Sequence, residues 1–324
     1  MPLPSINDVH VDSLRTEMSI AYMQAGNRFV ADKVFPLLRV DKQSDKYAVW
    51  SKADFNRLQM TQIADGAPAP EMSFAVDTSN TFYCETYGGK KFLTDKQRAN
   101  YDTPLKADRA TVNFVTQQAL LKRDAIVAGQ IWSTGIWATD KVPGTLWSAA
   151  SSDPIGDLRV GIRTISTESG QQANTLVLGA DVWDTLADHS DLLDRIKHTQ
   201  TGVVTTDLLA NILELDTVVV ATASYNTASA GVTASMSELF NPKHALLTYS
   251  APEPSHDLPS AGYTFSWSEF DDVISGDSIS GTGAAAIKTW RENDPDGEYF
   301  RALMSFDPKV TASDCGYFFN GAVT

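Results

Sequence analysis

The residues to ask first for metal or acid–base chemistry are the five histidines, His10, His189, His198, His244 and His256. None sits in a Cys/His cluster or in the helical His–Glu–x–x–His spacing that holds zinc, so the sequence predicts no metal centre. There is no Gly–x–Ser–x–Gly elbow, and neither Cys84 nor Cys315 stands near a histidine in a nucleophile signature. Gly281-Thr282-Gly283 lacks the third glycine and the strand-to-helix setting of a phosphate loop, and reads as a flexible loop. Asp271, Asp272 and Asp277 depart from calcium-loop spacing. Asp181, Asp184, Asp188, Asp191 and Asp194 recur every three or four residues, as exposed faces and caps of two short helices do. Lysine–asparagine isopeptide crosslinking is chemically possible for lysines of a protruding loop such as Lys42, Lys46 and Lys52, but no acid catalyst can be assigned. The expectation is therefore a non-enzyme with no catalytic, metal or cofactor-binding residue and no cofactor.

The aromatic residues say more. Phe35, Tyr47, Trp50, Phe55, Phe74, Phe82 and Tyr83 crowd an opening stretch that has no visible core of its own. They can pack onto a following helix or insert between neighbouring subunits, and aromatics are favoured interface anchors. Both uses can hold at different positions. Phe35, Trp50, Lys52, Phe55, Arg57 and Phe74 are taken as the candidate inter-subunit contacts.

The elements around them follow from pattern. Asp12–Ala25 fits a short amphipathic helix stopped by Gly26. Residues 34–40 read as extended, with Pro36 confining them to an edge, and Lys46–Ser51 reads as a strand. Residues 52–80 read as a long protruding hairpin or loop. Its Ala64–Pro70 centre cannot form a packed element, so Lys52–Ser73 is expected to touch its own lobe little. Strands over Phe74–Thr78 and Thr81–Tyr87 are expected to end at Gly88-Gly89. Asp102 or Thr103 can cap a helix over Asp102–Trp132, with Pro104 in its first turn. Leu105, Val112, Val115, Ala119 and Ile126 form its apolar stripe, with Phe114, Leu121, Ala125 and Trp132 beside it. At 1.5 Å per residue this helix spans roughly 46 Å. A Trp/Gly/Ser-rich connection follows. Then come helices over Asp157–Glu168, Asp181–Ala187, Asp191–His198 and Thr205–Leu213, interleaved with buried strands at Thr175–Leu178, Thr217–Ala221 and Ala245–Tyr249, an α/β lobe of roughly 100 residues. Tyr263–Ser268 leads out, and Lys288–Glu292 pairs with Glu298–Phe306 around an Asp294-Pro295-Asp296-Gly297 turn.

The 324 residues are 43% hydrophobic and 20% charged, as a globular chain of about two domains is. No apolar run approaches the roughly 20 residues of a membrane span. The N-terminus has no basic and apolar leader, so synthesis in the cytoplasm is expected. The two cysteines read as buried free thiols. Residues 1–150 carry 17 Lys/Arg against 16 Asp/Glu, and residues 151–324 carry 9 against 24. So acidic a half does not hold nucleic acid by neutralising its backbone, but it can attract basic arms of another copy. Lys33, Arg39, Lys42 and Arg57 are the first-half cations expected to face it.

In this order the parts resemble the major capsid proteins of tailed bacteriophages, with the Hong Kong 97-type fold. VFPLLRVDKQSDKYAVWSKADFNR (34–57) is similar to the arm leading into that family's extended loop, and ADGAPAPEMSF (64–74) to the loop's returning side. YDTPLKADRATVNFVTQQALLKRDAIVAGQIW (101–132) is similar to the spine helix. ANTLVLGADVWDTLADHSDLLDRIK (173–197) and LLANILELDTVVVATASYN (208–226) are similar to the axial domain. The resemblance implies an α+β fold with an N-terminal arm (1–45), an extended β-hairpin loop (46–90), a peripheral domain (91–152 and 269–324, spine helix 102–132) and an α/β axial domain (153–268). It implies a subunit that assembles with itself, as hexamers and pentamers, into an icosahedral shell around double-stranded DNA that it binds without sequence specificity. Scaffolding, portal and decoration proteins are further partners the family uses, no membrane is involved, and the location is the virion. The alternatives are an encapsulin-like cellular compartment or a soluble α/β enzyme without a recognisable active site.

Overall fold

In the computed structural model, the described residues are 29–99, 104–196, 204–229, 231–255, 258–268 and 286–324. The helix expected at Asp12–Ala25, the caps Asp102 and Thr103, and the Asp271–Gly283 turns lie outside them. The chain opens with α1 (Ala31–Val34), β1 (Leu37–Val40), β2 (Ser44–Lys46), β3 (Val49–Trp50), α2 (Lys52–Phe55), β4 (Val76–Asp77), β5 (Thr81–Tyr83), β6 (Glu85–Thr94) and α3 (Asp95–Ala99). The long α4 (Pro104–Ile131) is followed by β7 (Thr139–Lys141), α5 (Pro154–Ser169), β8 (Thr175–Gly179), α6 (Ala180–Ala187), α7 (Ser190–Ile196), α8 (Thr206–Leu213) and β9 (Thr217–Ala221). It closes with β10 (Ser224–Asn226), β11 (Met236–Glu238), β12 (Ala245–Thr248), β13 (Gly262–Trp267), β14 (Ala286–Asn293), β15 (Asp296–Val310) and β16 (Gly316–Phe319).

Two five-stranded sheets carry the structure. One runs β7-β16-β12-β8-β9. Its central strands are buried at every position because both faces are covered. Leu176, Leu178, Leu247 and Phe319 pack under α5, α6 and α8. Val177, Leu246 and Phe318 face the other way, onto Val127, Ile131 and Trp132 at the end of α4. β9 is an edge strand and only Val219 and Ala221 are buried, so Thr217–Ala221 is half covered rather than the buried strand its sequence suggests. Asp153 starts α5 by accepting the Gly156 N–H at 2.8 Å, and Gly170 ends it at φ +73°.

The other sheet runs β1-β13-β15-β14, with β6 on the free side of β15. β6 pairs from Glu85 to Thr94 without a break. Gly88-Gly89 thus continues a strand where the sequence suggests a stop. The reason is local: a Cβ on Gly88 would lie 2.3 Å from Leu303 Cδ2, so the glycine admits that cross-strand leucine. Alternate residues Phe300, Ala302, Met304 and Phe306 of β15 meet Val112, Val115 and Ala119 of α4. The apolar stripe on α4 therefore packs as its spacing suggests, and each fully buried side chain there stabilises by about 1.5–3 kcal/mol. Phe114, on the neighbouring stripe, is exposed.

The short helix α1 is tied to α4 by charge. Asp124, buried in mid-helix, accepts the Val30 and Ala31 N–H groups at 3.0 Å each, which caps α1. Burial pushes its carboxyl up to about 6, against the lowering effect of those two hydrogen bonds. Beside it, Arg123 pairs with Asp32.

Candidate subunit interface

Trp50, Phe55 and Phe74 come together. Their ring centroids are 5.8 Å apart for Trp50–Phe55, 5.3 Å for Trp50–Phe74 and 5.5 Å for Phe55–Phe74. Three short devices assemble the trio. β3 and β4 pair Val49 with Asp77 and Trp50 with Val76. Asp54 Oδ2 accepts the Ala75 N–H at 3.0 Å, and that bond, with one from Ser51, holds its carboxyl below the usual range. Gln59 then joins the two sides, donating to the Asp54 and Ser73 carbonyls at 3.1 Å and accepting the Ser73 N–H at 3.2 Å. Yet the trio is left open, with Trp50 46%, Phe55 61% and Phe74 57% exposed. Leu58, Met60, Ile63 and Met72 continue the exposed apolar surface along the loop. Such a contiguous apolar surface marks an interaction site.

The other candidates lie differently. Phe35 is fully buried, with Gly262 so close that a Cβ there would sit 2.3 Å from its ring, so in this conformation it offers no surface to a partner. Arg57 is exposed just beyond α2. Lys52 binds back to its own chain: its Nζ lies 2.9 Å from both Glu168 Oε2 and Asp314 Oδ2. Lys52–Ser73 is expected to touch its own lobe little, and Lys52 is a residue where it does touch it. Those bonds, to Asp314 and then Glu168, raise the lysine pKa and keep it an ammonium. A lysine held charged has no lone pair for isopeptide formation. Lys42 likewise pairs locally, with Asp45 at 3.1 Å, so its charge is not reserved for a neighbour.

One constellation has no sequence signature because its members are 37 residues apart. Ser152 Oγ lies 3.0 Å from His189 Nε2, and both side chains are buried. The proton runs the wrong way for a nucleophile. The Asp191 N–H donates to Nδ1 at 3.3 Å, so Nε2 carries the ring proton and donates to Ser152, whose own hydrogen goes to the Ala149 carbonyl at 2.7 Å. The group ties the connection after α4 to the start of α7. His198, His10 and His256 lie outside the described residues, among which no His/Cys/Asp/Glu group suited to a metal is found. Cys84 and Cys315 are free and buried. Burial pushes the Cys315 thiol up to about 11, which makes it inert. No described helix is long and apolar enough to cross a membrane.

Comparison with known proteins follows the same line. No family model matches the chain. The major capsid protein of Burkholderia phage BcepMu is 26% identical over 328 residues, covering 96% of each chain. That of Pseudomonas phage JBD67 is 25% identical over 323 residues, covering 97% of each. Among solved structures, a phage-related protein from Bordetella bronchiseptica superposes with a TM-score of 0.72 at 18% identity, over 97% of this chain and 98% of that one. The mature capsid protein of bacteriophage PhiM1 gives 0.52 at 9% identity, over 89% and 84%. A virus-like particle from Pyrococcus furiosus gives 0.51 at 10%, over 94% and 98%. At those identities the structures speak for the α+β fold alone, while the sequence relatives span nearly the whole chain. The chain is a homologue of the major capsid proteins of tailed bacteriophages.

Proposed function

We propose that the chain is a capsid subunit that self-assembles into the icosahedral head shell enclosing a phage genome, with the Hong Kong 97-type arrangement. In this reading residues 46–90 are the extended loop, α4 is the spine of a peripheral domain (91–152 and 269–324), and residues 153–268 form the axial domain. Its role is structural rather than enzymatic. It acts in the virion, after synthesis in the host cytoplasm, and portal, scaffolding and decoration proteins would join it there.

The observation that carries this reading is the open aromatic trio and the loop beyond it. A loop whose apolar side chains face solvent, rigidly rooted by β3, β4 and Gln59, is built to be covered by something else. Heterologous contacts of this kind, the loop of one subunit on a different surface of the next, generate rings and closed shells. Trp50, Phe55 and Phe74 would anchor that contact, and Arg57 would lie at its rim. A cellular compartment shell built on the same fold is the second reading.

Electron microscopy of the purified chain tests the proposal. Closed shells of uniform size are expected. Particles from infected or induced cells that hold nuclease-protected double-stranded DNA fit the phage head. Enzyme cargo inside would move the assignment to the compartment, and a steady monomer would overturn both.

A further inference from the structure

The loop that carries Trp50, Phe55 and Phe74 joins the rest of its subunit through a break in a strand ladder and one side chain. On the near side of the break, β2 and β5 pair Ser44 with Tyr83, Asp45 with Phe82 and Lys46 with Thr81. On the far side, β3 and β4 pair Val49 with Asp77 and Trp50 with Val76. Tyr47 and Ala48 therefore stand opposite Thr78, Ser79 and Asn80. The returning side holds one residue more, as at a β-bulge, and paired strands bend at such a place. Beyond the break the loop has few ties of its own. Among the described residues, the hydrogen bonds and ion pairs of residues 49–77 run among themselves or to Ser79 and Asn80, with Lys52 as the exception.

Lys52 reaches a notch made by two separate parts of the lobe. Its Nζ lies 2.9 Å from Glu168 Oε2, in the last turn of α5, and 2.9 Å from Asp314 Oδ2, in the Ser313–Cys315 turn that leads into β16. Cys315 is buried in that turn, which fixes Asp314 in the lobe. Two carboxylates held this close repel one another unless a cation stands between them. Lys52 also begins α2, which ends at Phe55, so the ammonium belongs to the same short piece of structure as the aromatic trio. The three charged side chains are 42%, 52% and 35% exposed. Salt therefore screens the bonds, and they can open without unfolding the lobe.

From the break in the ladder and the two-carboxylate notch, we propose that Lys52 is a reversible clasp that fixes the direction of the loop over its own lobe. Closed, it holds Trp50, Phe55 and Phe74 facing one way before any neighbour arrives, which lowers the ordering cost of a contact. Open, it lets the loop pivot at the break. The use of the clasp rests on the shell reading, but the clasp itself is a property of the free subunit.

The test uses the full chain, dissociated, with spin labels at Arg57→Cys beyond α2 and Leu193→Cys on the exposed side of α7. Cys84 and Cys315 are buried and take no label. Pulsed dipolar spectroscopy is expected to give one narrow distance distribution, broadened severalfold in Lys52→Met. Lys52→Arg is expected to narrow it again, since a guanidinium can bond both carboxylates. Lys52→Glu is expected to open the clasp, and adding Glu168→Lys with Asp314→Lys to close it, which a misfolded variant would not do. A distribution as narrow in Lys52→Met as in the parent, or broad in the parent itself, would overturn the clasp. So would a broadening that neither Lys52→Arg nor the reversed set restores. In light scattering of dissociated subunits, Lys52→Met is expected to form shells about tenfold more slowly. An unchanged rate would overturn the part of the clasp in presenting the trio. A parent chain that never assembles yet shows the narrow distribution would overturn the shell reading and leave the clasp standing.

Discussion

Asp124 is the side chain whose environment departs furthest from what its type suggests. Desolvation inside α4 disfavours its ionised form, so its carboxyl stands at about 6 rather than 3.8. A raised folded-state value means that its favourable contribution is fully present below about pH 4 and is lost as pH rises through 6, a span worth about 2–3 kcal/mol. Melting temperature should therefore fall from pH 4 to pH 7 by more in the native chain than in Asp124→Asn, once other titrations common to both cancel. A native chain that gains on the variant as pH rises would contradict this. At this scale little was legible in advance. The stripe over Val112, Val115 and Ala119 follows from helical spacing, but Asp124 and Arg123 sit on the same helix with no local cue that they are buried, because their partners, Val30, Ala31 and Asp32, are some 90 residues away. Lys52 is a similar case: its two carboxylates, 116 and 262 residues distant, are invisible to any local pattern.

Among the elements, α4 and the β6–β15–β14 sheet depend on one another. Val115 is buried among Leu93, Phe300 and Met304. Val115→Asp would leave a carboxylate without a partner in that layer and should cost about 3–5 kcal/mol. The measurable outcome is insoluble protein or a melting temperature lowered by many degrees. Unchanged melting and normal shells would mean that this face of the helix is not buried. The helix, the lobe strands and the closing hairpin were readable because each carries a strong period or a cap. β6 was not, because Gly88-Gly89 is a stop signal by composition and becomes strand only when Leu303 fills the space above it. The loop was readable as a loop, while the way Gln59 and Asp54 stitch its two sides together was not, since neither residue belongs to a motif.

For the molecule as a whole, the sequence splits near-neutral and acidic halves, and the fold refines that split. Several first-half cations are neutralised at home, Lys52 by two carboxylates and Arg98 by Asp95, Asp108 and Glu298. The exposed pairs of Lys52 fix orientation more than they add stability, at about 0.2–1 kcal/mol each, while those of Arg98 are partly buried. Cations without a carboxylate partner include the row of Lys90, Arg301 and Lys288 on the second sheet, two members of which come from the acidic half of the chain. A count by halves could not find them, because strand pairing rather than sequence proximity brings Lys90 beside Arg301 and Lys288.

The central claim is that the loop is completed by another subunit. Hydrogen exchange over residues 56–75, compared between dissociated subunits and assembled shells, tests it most directly. In the dissociated subunit the segment should exchange at nearly the rate of an unstructured peptide, apart from Asn56, Arg57, Ala67, Ser73 and Ala75, whose amides are hydrogen-bonded within residues 52–75. In shells its protection should rise by about a hundredfold or more, as an interface that excludes water gives. Equal exchange in both states would contradict the account, because the loop would then owe nothing to a neighbour.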